Sequence, residues 1–233
     1  MMNSPYANPE QLGVRPSVQL STAFLSQAFA WMFVALLVTT GVGTLVSTLP
    51  DESFATLANL WLFIIIGQLV LAFTLSLAIK RISATAALLL FFVFAATMGF
   101  TFGVILRTYE LGSVLTAGVS AASIFAGAAI YGAVTKRNLA SLGGYLFMAL
   151  IGLLVAMVVN LFVGWETLNF IISVGGVLIF TGLTAFDVQR IQRGQLAAFT
   201  ESMEKGAVMG AFVLYLDFVN LFLMLLRLFG NQR

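Results

Sequence analysis

Seven apolar stretches of about 20 residues, cut apart by short polar connectors, constrain this chain more than anything else in it. They run roughly Ala23–Leu49, Leu57–Ile79, Ala84–Leu106, Ser113–Val134, Ser141–Val163, Leu168–Phe186 and Ala207–Leu228. Each is long enough to cross the roughly 30 Å of hydrocarbon in a bilayer. Backbone groups at that depth find no water, so they must be paired inside a helix or a closed barrel. Barrel strands would be shorter and alternate in polarity, and none appear. An all-α membrane protein of seven transmembrane helices is expected, with the lipid bilayer as its first partner. Composition agrees: 61% of the residues are hydrophobic and 9% charged, against roughly 25% charged in a soluble domain.

The chain has no cysteine and no histidine. That excludes disulfides, Cys/His metal sites, Ser-His or Cys-His nucleophiles and an imidazole pH switch. A formal charge of +2 gives no reason to expect nucleic acid. The positions of the charges say more. Lys80, Arg81, Lys136, Arg137, Arg190, Arg193 and Lys205 fall in the second, fourth and sixth connectors, and Arg15 precedes the first stretch. Those are eight of the eleven basic residues, and Asp51, Glu52, Glu110 and Glu166 all lie on the opposite side. By the positive-inside rule the N-terminus is cytoplasmic and the C-terminus outside. No basic segment leads into a short apolar stretch with a cleavage site, so no removable signal peptide is expected. Residues 1–20, with Pro5, Pro9 and Pro16, read as a flexible cytoplasmic tail. Residues 21–230 read as a single transmembrane domain, and residues 231–233 as a short C-terminal tail. Only the connector from Gln189 to Gly206 looks long enough for structure of its own.

Small residues mark where helices approach closely. Gly99 and Gly103, Gly206 and Gly210, and Gly118, Ala122 and Gly127 are read as intramolecular packing positions rather than a dimer interface. Trp31, Trp61 and Trp165 are expected near span boundaries.

Two acids stand apart from the rest. Asp187 closes the sixth stretch, and Asp217 lies about halfway along the seventh, ~15 Å past its start at Ala207. A carboxylate at membrane depth costs several kcal/mol unless it is protonated, paired or hydrated. Thr184 and Thr181 precede Asp187 on one flank, and Asn220 shares a helical face with Asp217. Such a polar stripe either lines an aqueous path or serves as interhelical glue. The two acids favour a path or a sensor. Antiparallel sixth and seventh spans allow the carboxyls to meet, and a close pair would share one proton and titrate as a unit.

The runs Thr184-Ala185-Phe186-Asp187 with Gln189-Arg190-Ile191, Leu214-Tyr215-Leu216-Asp217-Phe218-Val219-Asn220-Leu221-Phe222, and Leu225-Leu226-Arg227-Leu228-Phe229-Gly230 resemble the Bax inhibitor-1 family. This is also called the transmembrane Bax-inhibitor-motif family, and the likeness is to its bacterial inner-membrane branch. It covers about residues 20–230. The resemblance implies six helices surrounding a central C-terminal helix, and a pH-sensitive calcium leak in the cell inner membrane. It implies that Asp187 and Asp217 form a hydrogen-bonded pH-sensing pair and that Arg81 latches the closed state. Thr184 and Asn220 would support the pair. Ca²⁺ would be a permeant ion held transiently by Asp187 and Asp217, not a resident cofactor, and no catalytic residue is expected.

Two other readings stay open. An intramembrane aspartyl protease also uses two aspartates sharing a proton, but the Gly-x-Gly-Asp expected around the second one is absent, since Tyr215-Leu216 precede Asp217. A non-conducting modulator of membrane-protein quality control would use residues 1–20 as a handle for a membrane-bound AAA protease, a partner the resemblance suggests.

Overall fold

A computed structural model describes residues 18–231, and every regular element among them is a helix. Most of the expected tail, residues 1–17, and residues 232–233 lie outside the described part. The elements are α1 (Val18–Ser47), α2 (Asp51–Ala58), α3 (Trp61–Ala78), α4 (Ala84–Thr108), α5 (Leu111–Val134), α6 (Ala140–Val163), α7 (Glu166–Gln192), α8 (Gln195–Thr200) and α9 (Met203–Phe229). Seven of them, all but α2 and α8, are long and apolar enough to cross a bilayer, as the apolar stretches predict.

Three boundaries differ from the sequence expectation. The first connector holds a helix of its own, α2, entered through Pro50 and carrying Asp51 and Glu52 in its first turn. Acids there complement the positive end of the helix dipole, and the crossing helix that follows starts at Trp61 rather than Leu57. The sixth connector shrinks, because α7 continues to Gln192 and α9 begins at Met203, one turn before Ala207. Between them α8 ends at Glu201, whose φ of 58° makes it a left-handed helix stop. Trp61 opens α3 and Trp165 separates α6 from α7, whereas Trp31 sits inside α1, edge-on to Phe92 at 6.0 Å.

The chain divides into two compact units. Among the described residues, one comprises 18–108 with 191–215, the other 109–190 with 216–231. In the first unit α1 and α4 lie backbone to backbone. A Cβ on Gly99 would meet Val42 at 2.5 Å and one on Gly103 would meet Val46 at 2.6 Å, so this glycine pair packs within the chain. The closeness lets Thr39 of α1 donate to Ala35 O or Ala95 O and meet the Tyr215 hydroxyl at 2.7 Å. Phe91 and Phe94 stack edge to face on Phe212 and Tyr215 around that bond. At the other end of α4, Arg107 donates to Ser47 O at 3.1 Å and to Leu49 O, pairs with Asp51 at 2.9 Å and covers the Phe54 ring. It thereby supplies donors to carbonyls that the end of α1 leaves unpaired.

In the second unit the packing face of α5 is Ala117, Ala121, Phe125, Ala128 and Gly132, all buried at helical spacing. Phe125 meets Phe218 of α9 edge to face at 5.6 Å. Gly132 touches the backbone of Ala185 in α7 so closely that a Cβ would collide with its carbonyl. Gly118 and Gly127, expected to mark this approach, have nothing within 4 Å, and Ala122 is exposed. They are small residues one position off the buried stripe. Burial also ranks the crossings: 67% of the α9 span is buried and only 6% of the α3 span.

Candidate functional site: the α7–α9 carboxylates

Asp187 and Asp217 both belong to the second unit. Each carboxyl is buried, with 4% of either residue exposed. Asp187 stands five residues before the end of α7, and Asp217 fourteen residues past the start of α9, near the middle of that 27-residue helix. This is deeper than the ~15 Å expected from a start at Ala207, because α9 begins one turn earlier, at Met203.

The two carboxyls are served unequally. Asp187 Oδ1 lies 3.7 Å from Arg190 Nη1, an ion pair at i,i+3 on α7. Asp217 Oδ2 is buried and has no hydrogen-bond partner among the described residues. A carboxylate oxygen stranded in an apolar interior is costly, and two things relieve it: a proton or a cation. A proton placed between the carboxyls would satisfy that oxygen and remove one negative charge. Without it, two negative charges face the single Arg190 cation.

The supporting residues do less than their spacing suggests. Thr184 donates to Phe180 O at 2.7 Å and Thr181 to Val177 O at 2.6 Å, both within α7. The Asn220 amide donates to Leu216 O at 2.8 Å on its own helix. The two hydroxyl donors and one of the two Asn220 N–H donors are thus spent on backbone, leaving the hydroxyl and amide oxygens as acceptors. No group of three or more Asp or Glu side chains that could hold a metal occurs among the described residues. A Ca²⁺ ion takes six to eight oxygens, so the pair alone suits passage better than storage. Arg81, expected as the latch, is exposed just past α3 and belongs to the first unit.

Two residues near Asp187 escaped the sequence reading. Ending the sixth span at Phe186 placed Arg190 in a loop; once α7 continues, the i,i+3 spacing brings it back beside Asp187. Gln189 is buried, accepts from Leu139 N at 2.8 Å and donates to Arg137 O at 2.9 Å. It ties the connector between α5 and α6 to the turn that carries Asp187. Gln189→Ala strands the Leu139 N–H and is expected to destabilise the protein by about 1–3 kcal/mol. Thermal unfolding in detergent reads this, and an unchanged Tm would remove Gln189 from that role.

Comparison with known proteins gives a consistent result. Residues 21–233 match the family model described as Inhibitor of apoptosis-promoting Bax1. The inner membrane protein YbhL of Escherichia coli K12 is 38% identical over 225 residues, covering 94% of this chain and 96% of its own length. An uncharacterized protein of Deinococcus radiodurans is 40% identical over 212 residues, 90% of each chain. An uncharacterized membrane protein of Streptococcus pyogenes is 42% identical over 165 residues, 71% of this chain and 72% of its own.

Proposed function

Because this chain belongs to the Bax inhibitor-1 family and carries seven membrane-crossing helices, we propose that it is a pH-gated cation leak with Ca²⁺ as the permeant ion. One observation carries the reading: Asp217 Oδ2 is buried without a hydrogen-bond partner among the described residues, in the same unit as the buried Asp187. At low pH the pair holds a shared proton, which satisfies that oxygen and, with Arg190 beside Asp187, leaves the site neutral. Raising the pH removes the proton, the carboxylates repel, and the oxygens become ligands for a partly hydrated cation. In this reading Arg81 serves as the latch of the closed state, the N-terminus faces the cytoplasm, no bond is made or broken, and no cofactor is needed.

Ca²⁺ flux into proteoliposomes, followed with a trapped indicator across a pH series, tests the proposal. Flux is expected to rise with pH, by at most about tenfold per unit where one proton controls the opening. Flux equal to that of empty liposomes at every pH would sink the leak, and flux that ignores pH would sink the gate.

A further inference from the structure

We propose that the surface of α3 seats one anionic phospholipid, its acyl chain along the helix and its phosphate on Arg81. Val70, Phe73, Thr74, Leu77, Ala78 and Arg81 line a single shallow groove. Val70 to Ala78 follow one stripe of α3, and Arg81 sits in the turn just past its end, so the groove runs over twelve residues, or ~16 Å at helical rise. That is about half of the roughly 30 Å hydrocarbon core, the depth of one leaflet. Phe73 is 63% and Leu77 78% exposed, on the least buried of the seven crossings, so lipid is what these side chains meet.

Charge at the basic end selects the headgroup. Lys80 faces Glu201 at 3.8 Å and covers the Phe199 ring, and Lys205 donates to Lys80 O at 3.0 Å. Both ammonium groups are therefore engaged. Arg81 has no ion-pair partner among the described residues, yet it closes the groove. An arginine stem lies along apolar surface while its guanidinium reaches the headgroup layer. There the planar fork matches two phosphate oxygens, which an ammonium cannot do. The inference uses the same Arg81 that the leak reading makes its latch, but lipid retention is measured without flux, so the two fail separately.

Native mass spectrometry of the full chain from micelles holding equal phosphatidylglycerol and phosphatidylcholine tests it. The chain is expected to retain one phosphatidylglycerol in preference to phosphatidylcholine. Arg81→Gln is expected to lower that preference about fivefold, the effect of one basic side chain at an anionic surface. Arg81→Lys should restore only part of it. Thr74→Trp fills the middle of the groove and should expel the lipid although Arg81 remains. Lys136→Gln with Arg137→Gln, in a basic connector remote in sequence, should change nothing. Equal loss in that control would mean general attraction to basic loops, and displacement by millimolar glycerol phosphate would mean a free phosphoester site. Either result, or retention unaffected by both Arg81→Gln and Thr74→Trp, overturns the proposal.

Discussion

Asp217→Asn is expected to flatten the pH dependence of Ca²⁺ flux, from as much as about tenfold per pH unit to none. The amide has nearly the shape of the carboxyl and stays neutral at every pH, so it cannot share a titrating proton with Asp187. Its Nδ2 can donate toward Asp187, which keeps its pair with Arg190 at 3.7 Å. The variant therefore fills the same buried space while removing the oxygen that has no partner. Asp187→Asn should also abolish the response, but with a difference: it leaves the Arg190 guanidinium without its carboxylate. A cation released beside the path should lower Ca²⁺ flux at all pH values, whereas Asp217→Asn should not impose that penalty. Retention of the wild-type pH slope in both variants would show that the gate lies elsewhere. Loss of the slope in only one of them would mean that the carboxyls do not titrate as a unit.

Gly132→Ala is expected to be the most damaging single methyl group in the protein. In most helices this change is favourable by up to about 1 kcal/mol. Here the added Cβ lands on the carbonyl of Ala185, and backbone cannot rotate away as a side chain can. The helices α5 and α7 must part next to Asp187, at a cost of about 3 kcal/mol, the upper range for overpacking. Gly127→Ala on the same helix meets nothing within 4 Å and supplies the control. It should be neutral or stabilising. Unfolding of both variants in detergent separates the effects, and equal stability would refute the close approach.

The legibility of this protein in its sequence was uneven, for identifiable reasons. The crossings could be read to within a turn at most ends, because charges and prolines punctuate the apolar runs. The exceptions were amphipathic. Asp51–Ala58 and Gln195–Thr200, of eight and six residues, are too short to look like spans or to show a period, yet both are helical. Asp187 and Asp217 were visible as acids out of place. Their surroundings are not legible there: the apolar run ends at Phe186 and leaves Arg190 in a connector, and Gln189 reaches Leu139 across 50 residues of sequence. Thr184 and Asn220 were on the expected faces but bond to their own helices.

What the residues determined by themselves is the set of seven helices and the two acids among them. In hydrocarbon a backbone has no solvent to fall back on, so apolar length alone dictates the secondary structure. A carboxylate there is conspicuous for the same reason. The tertiary structure decided which side of each helix is used. Gly118, Gly127 and Gly132 are equally small, but only Gly132 lies on the stripe that meets α7. It also decided that Asp187 would have a cation beside it and Asp217 Oδ2 no hydrogen bond. Those choices rest on distances between segments far apart in the chain. With lipid as apolar as the side chains, hydrophobicity does not discriminate between one helix face and another, and close packing does.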